Sequence, residues 1–255
     1  MPVSICIAGA TGWAGRPIAE AVLAAPDLTL VSAVSRSAAG QDLGRVWGGD
    51  ANGVPVFGTV AEGLKSVDVL IDYTSHAAVR GHTLAAIERG VSVVVIGAAA
   101  RKAGVGVVAA GNFSLTAALA QAAALLAAKY LPSWEIIDYA AASKPDAPSG
   151  TARELAERLA EIKPPTIQIP IAETAGYPEA RGATVAGNQI HAVRLPGFTL
   201  SIEAVFGLPD ERLTIRHDAG SSAVPYVAGT LIAARVVTRR VGLIRGLDTL
   251  LLNSQ

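Results

Sequence analysis

The chain has 255 residues, 51% of them hydrophobic and 16% charged, with 21 Lys+Arg balanced by 21 Asp+Glu. That length is ample to bury the core of one large or two modest domains, and a formal net charge of zero gives no electrostatic case for nucleic acid or an anionic membrane surface. The single cysteine, Cys6, lies in an apolar run and makes no internal disulfide; it reads as a small core residue, which fits a reducing, cytoplasmic compartment.

The opening MPVSICIAGATGWAG has no basic stretch before its apolar run, so no signal peptide is expected. VSICIAG, LTLVSAVS, VDVLIDYT, VSVVVIG and VGVVAAG predict strands that are apolar on both faces, as buried parallel strands are. RPIAEAVLAA and AAVRGHTLAAIERG predict covering helices. The alternation is that of an α/β, Rossmann-like domain with a parallel sheet and right-handed crossovers, over residues 1–112. Between Gly97 and Val105 stands only AAARKAG. A parallel crossover through a helix needs roughly a dozen residues, so a tight link or a missing segment is expected there. AALAQAAALLAAKYLP is short for a membrane span and predicts a buried helix.

The second half changes character. EIIDYAAAS, TIQIPIAE, NQIHAVRLPG, FTLSIEAVFG and ERLTIRHDAG alternate polar and apolar residues, which predicts a mixed, mostly antiparallel sheet with one exposed face. GTARELAERLAEI and the end, VPYVAGTLIAARVVTRRVGLIRGLDTLL, predict helices. A second, α+β domain is therefore expected over residues 113–216, with the last helices, about 217–255, returning to the first domain.

Two stretches carry chemistry. GATGWAGRPIAE follows the first strand and opens the first helix, with Gly9, Gly12 and Gly15 spaced GxxGxxG. Small residues there let the backbone approach a pyrophosphate, and the helix start offers N–H groups to its charge. The second strand ends Ser35-Arg36-Ser37. A carboxylate at that point would bind the ribose hydroxyls of NAD; an arginine between hydroxyls favours a 2′-phosphate, hence NADPH over NADH. Further on, KPDAPSGTA places Lys144 before a Pro-stiffened turn, with Ser149, Gly150 and Thr151 at a helix start and Glu154 completing a capping box with Thr151. Lys144 and those three N–H groups suit a carboxylate; the residues alone equally allow a capped helix with a surface lysine.

KPDAPSGTA resembles the signature of the dihydrodipicolinate (4-hydroxy-tetrahydrodipicolinate) reductase family. GATGWAG, IDYTSHAA, AAGNFSLTAAL and RLTIRHDAGSS are similar to other family segments in the same order. The resemblance implies a homotetramer in which NADH or NADPH delivers hydride to a cyclic dicarboxylate in lysine biosynthesis, the diaminopimelate pathway. It implies cofactor contacts at Gly9, Thr11, Gly12, Trp13, Ala14, Gly15, Arg36, Gly97, Asn112 and Phe113, and substrate contacts at Lys144, Ser149, Gly150 and Thr151, with Lys144 also catalytic. No metal is expected.

The sequence departs from the family at four points. Ala140 and Ala141 stand where the family carries two histidines, so the usual proton donor is missing. Gly97 is followed by alanines instead of the family's Gly-Thr-Thr-Gly, and Trp13 replaces an arginine. Arg181 and His191 lie in a loop-and-strand region that could approach substrate, while His191 and His217 also read as structural strand histidines. The expectation is an NADPH-dependent reductase of a small cyclic carboxylate or imine, with the two vacated side chains leaving room open to water or a bulkier substrate. The alternatives are a non-catalytic NADP-binding relative and the lysine-pathway reductase itself with altered acid catalysis.

Overall fold

The computed structural model describes residues 1–96 and 105–252. In chain order its elements are β1 (Val3–Ala8), α1 (Gly15–Ala24), β2 (Leu28–Val34), α2 (Leu43–Val46), β3 (Val56–Phe57), α3 (Val60–Gly63), β4 (Val69–Asp72), α4 (His76–Ile87), β5 (Ser92–Ile96) and β6 (Gly106–Ala110). Then come α5 (Leu115–Tyr130), β7 (Ser133–Ala140), α6 (Gly150–Ile162), β8 (Ala183–Val185), β9 (Asn188–Arg194), β10 (Leu200–Leu208) and β11 (Glu211–Ala219), followed by α7 (Pro225–Val237), β12 (Gly242–Arg245) and α8 (Leu247–Leu252). The chain forms two compact units: Met1–Leu115 with Ser222–Gln255, and Thr116–Ser221.

In the first unit the described strands form one sheet in the order β12-β6-β5-β4-β1-β2-β3, every pair parallel. Every residue of β4 and β6 is buried, because helices cover both faces. On one face Cys6, Leu70, Val93 and Val107 pack with Val60, Val79 and Ala86 from the α3–α4 side; α1 and α7 pack together, with α7 against β4, β5 and β6. The Cys6 thiol is buried, and desolvation pushes it up to about 11. β5 and β6 pair in parallel although nine residues separate them. The link, residues 97–104, lies outside the described residues, as does Gly97.

The helical tail predicted from the sequence is interrupted. After α7 the chain turns at Gly242, at φ +95°, and β12 adds an edge strand beside β6. Gly106 permits the close passage, since a β-carbon there would lie 2.1 Å from the Val237 carbonyl oxygen. β3, two residues long, was too short to leave a periodic signal.

The second unit carries a mixed sheet, β11-β10-β7-β9-β8, in which β7–β9 is parallel and the other pairs are antiparallel. Along β7 burial alternates: Trp134, Ile136, Asp138 and Ala140 are buried. The first two pack with Leu155, Ala156 and Leu159 of α6 and Ala124 and Ala128 of α5. Two sequence expectations fail here. TIQIPIAE makes no strand, only a short 3-10 turn at Ile171–Glu173; prolines at 164, 165 and 170 remove the N–H groups a ladder needs. α5 is not buried all round: its alanines 117, 118, 124 and 128 face inward, while Leu119, Leu126 and Tyr130 are exposed. No helix among the described residues is long and apolar enough to cross a membrane.

Candidate active site

β1 runs straight into the glycine loop. Gly9 has φ +85°, and a β-carbon on it would lie 2.8 Å from the Tyr73 carbonyl oxygen. A β-carbon on Gly15 would lie 2.0 Å from the Gly9 carbonyl oxygen. Both positions therefore require glycine, and the loop folds tightly onto the start of α1. Ala14 offers α1 no side-chain cap; the Arg16 N–H donates to the Gly12 carbonyl at 3.1 Å and Pro17 has none, so Gly15 is the first-turn N–H left for an external anion. These features fit the pyrophosphate of a dinucleotide. The Thr11 hydroxyl donates to Ser35 Oγ at 3.1 Å, and Ser35 and Ser37 hydroxyls lie 3.3 Å apart, so the loop is tied to the end of β2. Arg36 is exposed there and lines a cavity of about 590 Å³ with Gln41, Thr59 and Glu62. Trp13 is 60% exposed and meets Tyr226 of α7 edge-on. Asn112 Oδ1 accepts from the Ser114 N–H at 2.8 Å, and Phe113 is fully buried beside Tyr73.

In the second unit, the Lys144 turn is built on a buried carboxylate. Asp138 has no exposed surface; its Oδ2 accepts from the Ser149 N–H at 2.7 Å and from Arg194 Nη2 at 2.8 Å. Arg194 also donates to the carbonyl oxygens of Asp138 and Asp146. β7, β9 and the turn are thereby knotted together, and the Ala147–Pro148 peptide is cis. Ser149, extended at φ −63° and ψ 160°, is the N-cap of α6, and its hydroxyl accepts from the Ala152 N–H at 3.2 Å. The capping box expected at Thr151 and Glu154 is therefore not the cap: Thr151 already lies inside the helix. The anion site expected from three amides is also narrowed, because the Ser149 N–H is committed to Asp138. Lys144 Nζ donates to Asp146 Oδ1 at 2.6 Å. Desolvation works to raise the Asp146 carboxyl, but Lys144 overrides it and holds that group below its ordinary value.

The chain matches the family profile for the N-terminus of dihydrodipicolinate reductase over residues 3–113, and the C-terminal profile over residues 111–251. The chain belongs to the dihydrodipicolinate reductase family. It is 38% identical to the 4-hydroxy-tetrahydrodipicolinate reductase of Thermosynechococcus vestitus, over 98% of this chain and 97% of that one. It is 36% identical to the Moorella thermoacetica protein of the same name, over 98% of each. The structure of dipicolinate-bound dihydrodipicolinate reductase from Paenisporosarcina sp. TG-14 superposes with a TM-score of 0.76 at 28% identity, covering 97% of this chain and 99% of that one. As a member of this family the protein is an NAD(P)H-dependent reductase. The first of these alignments spans 273 positions, 18 more than the 255 residues here, so the relative carries residues that this reductase lacks.

The remaining site candidates of this reductase are not gathered around Lys144. Arg181 and His191 both pair with Glu135, the histidine at 2.7 Å. They sit on the sheet face opposite Asp138 and Ala140, lining a groove of about 1090 Å³ with Ile137, Val205 and Leu208. Desolvation works to raise Glu135, but His191 and Arg181 hold it below its ordinary value. His217 is buried in β11, its Nε2 3.1 Å from Thr116 Oγ1, and desolvation lowers its pKa. Ala140 is fully buried between β10 and β9, paired with Leu200 and Arg194. The room expected to be open to water at this position is thus closed: Ala140 lies on the covered face of β7, with Trp134, Ile136 and Asp138. Three residues that matter were not foreseen: Arg194, Asp72 and His82. The latter two form a pair in the first unit, with His82 Nδ1 2.9 Å from Asp72 Oδ2.

Proposed function

We propose that the protein reduces a C=N or C=C bond of a small cyclic dicarboxylate with NADPH, and that this substrate is the 4-hydroxy-tetrahydrodipicolinate for which its relatives are named. The retained Lys144 turn carries the reading. An ammonium has three donors, of which the structure commits one to Asp146, so Lys144 can hold Asp146 and a substrate carboxylate together. The start of α6 adds the Gly150 N–H and the positive end of the helix dipole. The dipicolinate in the Paenisporosarcina structure is a ring with two carboxylates, the ligand class such a turn suits.

The Gly9–Gly15 loop and the start of α1 would hold the cofactor pyrophosphate, and Arg36 with Ser35 and Ser37 a 2′-phosphate. When bound, the nicotinamide supplies the hydride. Neither Ala140 nor Ala141 can give a proton, so we assign proton delivery to Lys144. Acid help typically contributes about 10²–10⁴-fold, so its weakening slows reduction without abolishing it. The buried, poorly acidic Cys6 suits a reducing cytoplasm, and the family resemblance implies a homotetramer.

The test is a coupled assay in which the pathway's aldol product is generated in place and loss of nicotinamide absorbance is followed. Substrate-dependent NADPH oxidation that outpaces NADH oxidation, with NADPH selectivity falling in Arg36→Ala, supports the reading. Binding of NADPH with no consumption, across the pathway substrate and a panel of cyclic imino acids, would leave a non-catalytic NADP-binding protein. Consumption with an imino acid but not with the pathway product would move the substrate to that class, which the absent histidines favour.

A further inference from the structure

Asp72 ends β4 at the carboxyl edge of the parallel sheet and has no exposed surface. A buried carboxylate needs partners for its charge. Its Oδ1 accepts from the Thr74 N–H at 2.9 Å and from the Thr74 hydroxyl at 2.6 Å. Its Oδ2 lies 2.9 Å from His82 Nδ1, reaching down from α4 with a quarter of its side chain exposed. The backbone that Asp72 pins in this way is the wall of the glycine loop. The Tyr73 N–H donates to the Ala8 carbonyl at 3.0 Å, and Tyr73 O is the atom that a β-carbon on Gly9 would strike. On the far side Tyr73 Oη meets Thr230 Oγ1 of α7 at 2.6 Å. Gly9 therefore packs against a segment whose position is fixed by α7 through Tyr73 and by α4 through the His82–Asp72 pair.

We propose that His82 is a positioning residue for the dinucleotide cofactor. It hydrogen-bonds the Asp72 carboxylate, which holds the Tyr73–Thr74 backbone in place and so sets the shape of the Gly9 turn that meets the pyrophosphate. His82 acts through Asp72 and makes no contact with substrate. The inference rests on the cofactor reading of the glycine loop.

The test uses the full chain with His82→Ala, His82→Asn and His82→Gln. An asparagine amide can donate from the place of Nδ1, whereas a glutamine amide reaches the place of Nε2. NADPH affinity is measured by calorimetric titration, and hydrogen exchange at Tyr73 and Thr74 is measured without cofactor. In His82→Ala the dissociation constant should rise about tenfold, as for loss of one charge-assisted contact, and exchange at Thr74 should quicken. His82→Asn should recover affinity to within about twofold, and His82→Gln should not. Wild-type affinity in His82→Ala, or equal affinities in the Asn and Gln variants, overturns the proposal. The Asn and Gln pair decides the matter if the alanine variant does not fold. A wild-type chain that binds neither NADPH nor NADH sinks the cofactor reading and this inference together, whereas a normal wild type with an unaffected alanine variant sinks this inference alone.

Discussion

Arg194→Met probes how the Lys144 turn is held. The Arg194 side chain is 16% exposed and bonds a carboxylate with no exposed surface, so its removal leaves Asp138 buried with only the Ser149 N–H on Oδ2. Removing one partner of a buried ion pair costs about 3–5 kcal/mol, and the partial exposure of Arg194 points to the lower end, about 3 kcal/mol. That is a large share of the 5–15 kcal/mol typical of a domain. The bond from Arg194 Nη2 to the Asp146 carbonyl is lost as well, so the loss should be felt in the turn itself. Asp138→Asn combined with Arg194→Met removes both charges and should be less damaging than Arg194→Met alone, with a coupling of about 2 kcal/mol. The second unit can be followed by itself through Trp134 once Trp13 and Trp47, the other two tryptophans, are replaced by phenylalanine. Urea unfolding of the two single variants and the double variant then gives the cycle. A loss under about 1 kcal/mol in Arg194→Met, or a double variant that costs the sum of the singles, would show that Asp138 does not depend on this arginine.

Lys144→Ala should weaken substrate binding by about 1.5–3 kcal/mol while leaving the NADPH dissociation constant unchanged, measured by steady-state kinetics and cofactor titration. Because desolvation lowers the His217 pKa, the unfolded chain binds more protons in the ordinary histidine range. The stability His217 contributes is full above about pH 6.5 and is lost as pH falls toward its folded value, so His217→Gln should flatten denaturant stability against pH in that window. Cys6, at about 11, should react with a disulfide reagent near pH 8 only as fast as the first unit opens, and immediately in denaturant.

Much of the fold was legible because it follows from local pattern. Val69–Asp72 and Gly106–Ala110 are apolar on both faces, and a strand can be so only where both faces are covered, as in a parallel sheet. Alternation along Ser133–Ala140 marked a sheet with one covered face. The glycine loop and the Lys144 turn were visible because small and Pro-restricted residues stand at fixed offsets from a helix start. TIQIPIAE misled for the same reason: alternation was present, but the prolines around it deny the hydrogen bonds that make a strand.

By itself the sequence determined the buried parallel strands of the first unit, the position of both turns, and the absence of a side-chain acid at 140 and 141. These depend on residues within one or two turns of each other. Only the tertiary structure decided which groups complete the turns. Ser149, and not Thr151, caps α6, because the cap is the residue whose backbone is extended when the helix begins. Arg194 meets Asp138 across 56 positions because β9 lies parallel beside β7 in one register. His82 meets Asp72 because α4 folds back over the strand it follows. A buried charge is held by whatever partner the register and the crossover bring to it, and neither can be read from the spacing of residues along the chain.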